Sequence, residues 1–209
     1  MPPAVETAAP PIGFEPLRIG EHAALDFLNS VLAPSGEVLD FLQDGASLAR
    51  WLSSSGVVPD PVAAATRALP PRQLDRLAAE ARELREWFRA MVSRWSASGE
   101  RTVRKADIDR LNALMAASPL TQVLVRGPAG IELRARRALG EPRALIAELA
   151  AACADLLARQ RHDQVRKCEN PVCPLVFADT KRGPRRRWCS MAVCGNRMKV
   201  AAHRARQQR

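Results

Sequence analysis

The sequence predicts an α+β, mostly helical chain: a helix-rich N-terminal domain with one β-hairpin, then a small, treble-clef-like C-terminal module built on four cysteines. Three observations predict it. Apolar residues recur at spacings of three and four in most segments up to residue 159, the signature of helices with one buried face. One stretch, 121–137, changes to alternation. Four of the five cysteines sit in two matched pairs near the end, in "KCENPVC" and "CSMAVC".

Five prolines in residues 1–16 predict a disordered lead-in. The N-terminal domain is expected over 17–160. It opens with "EHAALDFLNSVL", where Ala24, Leu25, Phe27, Leu28, Val31 and Leu32 form a helical stripe. His22, Asp26 and Asn29 share another face of that helix. They could line a polar pocket, but a polar stripe more often faces water, and the solvated face is the expectation. "DGASLARWLSSSG" reads as a helix capped by Asp44 and stopped near Gly56. "PVAAATRAL" is a short third helix. The strongest starts at Pro71, where Leu74, Leu77, Ala81, Leu84, Phe88, Met91 and Trp95 make a heptad-like row. This is expected to be a core helix, with a dimer seam as the alternative. "KADIDRLNALMAAS" places Ile108, Leu111 and Met115 on one face.

In "TQVLVRGPAGIELRARR", Ile131, Leu133 and Ala135 alternate with Glu132, Arg134 and Arg136 around a Gly-Pro-Ala-Gly turn, so a hairpin is expected. "EPRALIAELAAACADLLARQ" closes the domain with Cys153 on its apolar side, where a buried thiol is inert. A continuing helix is expected to join it semi-rigidly to the module at 165–209.

That module reads Cys168-x4-Cys173, fifteen residues, then Cys189-x4-Cys194. Each pair can turn two thiolates toward one ion, and the loop brings the pairs together. That is what one structural, tetrahedral Zn2+ requires. A disulfide pair needs an oxidising compartment, and no secretory signal is apparent. A redox pair is more often C-x-x-C within a βαβ pattern. Four thiolates also fill the coordination shell and leave no place for an activated water. "LVFAD" and "RRRW" are expected to form a hairpin, and a helix carrying Met198, Ala201, Ala202 and Ala205 on one face follows. His203 is read as a polar helix residue and Trp188 as a cap over the metal site.

Charge separates the two parts. From residue 160 onward there are 13 Lys/Arg against 3 Asp/Glu, which accounts for the whole net charge of +10; the earlier part holds 19 of each. Lys181, Arg182, Arg185, Arg186 and Arg187, with Arg197, Lys199, Arg204 and Arg206, make a basic loop beside a basic helix. Such a surface contacts phosphates and releases counterions. Aromatic residues are 4% with no Tyr, which disfavours a stacking platform for single strands. No apolar run approaches a membrane span, so a cytoplasmic protein without a membrane partner is expected. No Gly-rich phosphate loop, Ser/His/Asp arrangement or open metal site is evident, so an enzyme is not expected.

"WCSMAVCGNRMK" resembles the signature of the CGNR zinc finger, and "CENPVCPLVFADTKRGPRRRWC" resembles that family's first cysteine pair and basic stretch. The likeness covers about residues 165–207. "LDFLNS", with the mixed helices and hairpin that follow, is similar to the ABATE domain that precedes this finger. The resemblance implies a stress-induced transcriptional regulator with Cys168, Cys173, Cys189 and Cys194 as zinc ligands. Asn196 and Arg197 would brace the site or contact DNA. The expectation is DNA binding by the module, with the first domain sensing a small-molecule effector or forming a homodimer. RNA binding is the nearest alternative, and a protein-interaction or redox-sensing zinc module is the other.

Overall fold

The computed structural model describes residues 7–8, 15–33, 38–138, 141–180 and 185–207. Its centre is α4, Pro71–Ser98. Pro71 supplies the fixed φ of a first helical position, and Gly99, at φ +79°, closes the far end by donating to Trp95 O at 2.8 Å. Every residue of the predicted heptad-like row is buried inside this chain, so α4 is a core helix. Around it pack α1 (Ala23–Leu28), α2 (Gly45–Ser54) and α6 (Arg143–Arg159). Next to these lie α3 (Asp60–Arg67) and α5 (Lys105–Ala116). Trp51, Trp95, Phe27 and Phe88 are fully buried among them. Asp44 caps α2 as expected, its carboxylate accepting from Ser47 N at 2.7 Å. That bond holds the Asp44 carboxyl below the usual range.

The first helix is shorter than its apolar pattern suggests. It stops at Leu28, and Val31–Leu32 forms β2, antiparallel to β3 (Val38–Asp40). The stripe still reaches the core, since Leu25, Phe27, Leu28 and Leu32 are all buried. Within the proline-rich lead-in, Thr7–Ala8 forms β1, parallel to Val38–Leu39; the rest of 1–14 lies outside the described residues.

On α5, Leu111 of the predicted face is buried against α6 and Met115 is half-buried, while Ile108 is exposed. The predicted hairpin forms as β4 (Thr121–Gly127) and β5 (Gly130–Arg136), with Leu124 opposite Leu133. Its apolar face, with Leu124, Ile131 and Leu133, lies in solvent. Cys153 is fully buried, and burial pushes its thiol well up. The expected continuing helix after α6 is absent. The chain makes a 3-10 turn at His162–Gln164 and enters β6, Val165–Lys167. No helix among the described residues is long and apolar enough to cross a membrane.

One feature of the core has no apolar explanation. Arg85, midway along α4, is 3% exposed. Its guanidinium grips Asp40 with two parallel bonds, Nη1–Oδ1 2.7 Å and Nη2–Oδ2 2.8 Å, and also donates to Ser30 Oγ at 3.0 Å. Asp40 Oδ1 accepts a further bond from Leu42 N at 2.8 Å. The pair locks β3 and the β2 approach onto α4, with its polar atoms satisfied.

Candidate metal centre and nucleic-acid interface

The module begins with β6, which pairs with β7 (Val176–Ala178) across the first cysteine pair. The predicted partner of "LVFAD" was "RRRW"; instead the strand before Cys168 takes that place, and residues 185–190 form no strand. The basic segment still folds back, because Arg186 N donates to Asp179 Oδ2 at 2.9 Å.

Two different turns aim the cysteines. In the first, Cys173 N bonds Asn170 O at 2.9 Å, and Cys168 N bonds Leu175 O at 2.9 Å. The second pair is five residues apart, a spacing that an α-helix would leave pointing about 140° from each other. The chain avoids this: Cys189 precedes an extended Ser190, and only Cys194 lies in a helical segment, the π-helical turn Met191–Gly195, closed by Gly195 N to Ser190 O at 2.9 Å. Gly195 lets the turn pack closely: a Cβ would lie 2.8 Å from Met191 Sδ and 3.1 Å from Trp188 Cδ1, so both side chains would have to give way. Asn196 braces the same turn, its Nδ2 donating to Ala192 O at 3.4 Å.

All four thiols are buried, and their sulfurs lie within 4.8 Å of one another. Four thiolates on one zinc at about 2.3 Å would place neighbouring sulfurs about 3.8 Å apart; Cys173 Sγ and Cys189 Sγ are 3.8 Å apart. Cys168 Sγ accepts from Cys189 N, and Cys194 Sγ accepts from Asn170 Nδ2, each at 3.4 Å. The hydrogen bond from Cys189 lowers the Cys173 thiol to about 5, while that bond pushes Cys189 up and burial raises Cys168. A buried, soft four-sulfur donor set of this size is suited to one zinc ion. His203 is exposed on the following helix, outside the cluster.

The module is built into the helical domain. Phe177 is fully buried in the common core, with Leu175 and Ala178 beside it. Here the polar residues of α1 correct the expectation of a solvated face. His22 Nδ1 accepts from Ala24 N to cap the helix, and His22 Nε2 lies 3.2 Å from Asp155 on α6. Asp26 Oδ1 accepts from Gly20 N at 2.8 Å, and burial raises its carboxyl. Asn29 is 1% exposed and pairs with the Val176 backbone like an added strand residue. Its Nδ2 donates to Val176 O at 2.8 Å, and its Oδ1 accepts from Val176 N at 2.9 Å. Arg89 on α4 donates to Leu28 O and to Pro174 O, the residue after a cysteine of the cluster. Asn29→Ala leaves both Val176 backbone groups without partners. A loss of about 2–3 kcal/mol is expected by urea unfolding, with the zinc-site cysteines becoming more reactive to a thiol probe.

The expected basic residues take several positions. Arg186 turns inward: it stacks 4.2 Å over Phe177, pairs with Glu21 at 3.0 Å and donates to Trp188 O and Cys189 O. Arg187 pairs with Glu169 at 2.6 Å and lies 5.0 Å over Trp188. Arg185 is exposed, and Lys181 and Arg182 lie outside the described residues. The last helix, α7 (Asn196–Gln207), carries Arg197, Lys199, Arg204 and Arg206, all exposed. In the helical domain, a cleft of about 650 Å³ opens between α4, α5 and the start of α6, lined in part by Arg76, Glu80, Leu114 and Arg143.

Sequence reasoning missed Arg89 as part of the site and placed Asn29 on a solvated face. Arg89 gave no warning, because it acts through backbone partners that only the fold brings near; the Val176 partner of Asn29 and the Cys194 partner of Asn170 are likewise visible only in the fold.

Residues 164–207 match the CGNR zinc finger, and residues 21–160 match the ABATE family, described as "Putative stress-induced transcription regulator". No curated protein matches the chain. With two thirds of its length in that match and the buried cysteine cluster behind it, the chain belongs to the ABATE family and carries a C-terminal CGNR zinc finger.

Proposed function

We propose that the protein is a DNA-binding transcription regulator, not an enzyme, and that α7 is the element that enters the major groove. The observation that carries this reading is the setting of α7. Of its described residues only Met198 is partly covered, it has no acidic residue, and Lys199, Arg204 and Arg206 are exposed along it. A helix of this width fits the major groove, where Arg can make paired bonds to guanine. Zinc, when bound, fixes the two turns that set the angle of α7. Arg185 and Arg187 would add phosphate contacts beside it, with Arg187 exchanging Glu169 for a phosphate. Arg186 serves the fold. An effector of the N-terminal domain would use the cleft beside Arg76 and Arg143, which suits an anionic or polar small molecule.

The test is binding of zinc-loaded protein to genomic fragments across a salt series. A recovered sequence motif is expected. Lys199→Ala/Arg204→Ala/Arg206→Ala should weaken binding at least about tenfold and reduce the log–log salt slope by roughly 2–3. Preference for structured RNA would favour the RNA reading, and no binding at low salt would favour a protein partner.

A further inference from the structure

We infer that the outer edge of β5 is a self-pairing surface, through which two copies of this chain join as one four-stranded antiparallel sheet. This does not depend on what α7 binds. The hairpin β4–β5 is a two-stranded sheet that no third strand joins among the described residues. Two strands alone are marginal in water, and a seven-residue exposed edge is a template for pairing. The face carrying Leu124, Ile131 and Leu133 is open to solvent, with these side chains 73%, 73% and 65% exposed.

The partner is named by the sequence of the edge, "GIELRAR". A two-fold axis perpendicular to the sheet pairs each residue with one of the same facing, so it must pass through a residue position. Centred on Leu133, it sets Leu133 against its own copy and Ile131 against Ala135. It sets Glu132 of each copy against Arg134 of the other, two opposite-charge pairs from one symmetric contact. Centred on Glu132 or Arg134, it brings like charges together. On β4 the equivalent axis through Leu124 sets Gln122 against Arg126 and gives no ion pair. Charge therefore selects one strand and one register. In the single chain, Glu132 and Arg134 already lie on the same face and pair at 2.6 Å, so both are oriented for the cross-copy exchange.

The experiment is sedimentation equilibrium of the zinc-loaded full chain. The expected mass is twice the 22.9 kDa chain at micromolar concentration. Glu132→Arg should raise the dissociation constant at least about tenfold, and Glu132→Arg/Arg134→Glu should restore it, because the swapped charges face each other again. Leu133→Lys, which sets two ammonium groups together at the axis, should also give monomers. Arg134 and Leu133 are exposed and Glu132 is half-buried on a hairpin outside the core, so zinc content and helical circular dichroism should not change. A monomeric parent protein at tens of micromolar overturns the inference. So does a Glu132→Arg dimer of unchanged affinity, a charge swap that fails to restore pairing, or a hairpin that alters nucleic-acid binding with no change in mass.

Discussion

Chelating the zinc, or replacing Cys189 with Ser, is expected to unfold the C-terminal module and to lower the melting temperature of the helical domain with it. The ion holds four thiols that are otherwise buried together without a counter-charge. Apparent binding energies of structural zinc in small modules are about 10–16 kcal/mol at neutral pH, and that binding is also folding energy. Here the effect spreads, because Phe177 and Leu175 complete a core to which α1, α4 and α6 contribute. Losing the module takes β7 away from α1 and removes the Val176 backbone from Asn29 and the Pro174 carbonyl from Arg89. The ligands must be thiolates, so zinc affinity should fall as the pH falls and protons compete for sulfur. Thermal melts of loaded and chelated protein, followed by far-ultraviolet circular dichroism and by protease digestion, measure this. A Cys189→Ser protein whose last fifty residues stay protease-resistant and zinc-loaded would show that four cysteines do not hold the ion.

Asp40→Ala should cost about 3–5 kcal/mol, the cost of leaving a buried guanidinium without its carboxylate. Arg85 has side-chain exposure of only 4%, and its remaining acceptors are Ser30 Oγ and the solvent-facing Glu86. The substitution also removes the acceptor for Leu42 N. The double change Asp40→Ala/Arg85→Met should recover most of the loss, since it removes the stranded charge and returns an apolar side chain to the core. Urea unfolding of the four proteins gives the coupling energy directly. An Asp40→Ala cost under about 1 kcal/mol would mean that water reaches Arg85 and the pair is not a lock.

Much of this could be read from residue patterns, for identifiable reasons. The α4 row and the Asp44 cap depend on local spacing, and so does the double pair of cysteines. Local spacing is what a linear sequence displays. What it conceals is which exposed-looking residue meets a distant partner. Arg85 follows Leu84 on a row shared with Ala78 and Ala81, and nothing local marks it as buried. Asn29 and Asp26 look like a water-facing stripe until β7 meets Asn29 and the Gly20 backbone bonds Asp26. The hairpin was legible as a hairpin, but alternation fixes two faces without saying which is covered. In the finger, spacing brought the cysteines together correctly, yet β7 chose β6 as its neighbour over the arginine segment.

The pairing of Asn29 with Val176 also sets an order of assembly. The two residues are 147 positions apart. At about 5–20 residues per second, a ribosome needs on the order of 10 s to cover that interval. Throughout it the six-residue α1 is too short to hold its shape alone and lacks the strand that completes its polar bonds. The nascent chain therefore carries Leu25, Phe27 and Leu28 without their final cover. The helix made before every other described helix is among the last to become secure, and its closure waits for the finger that follows.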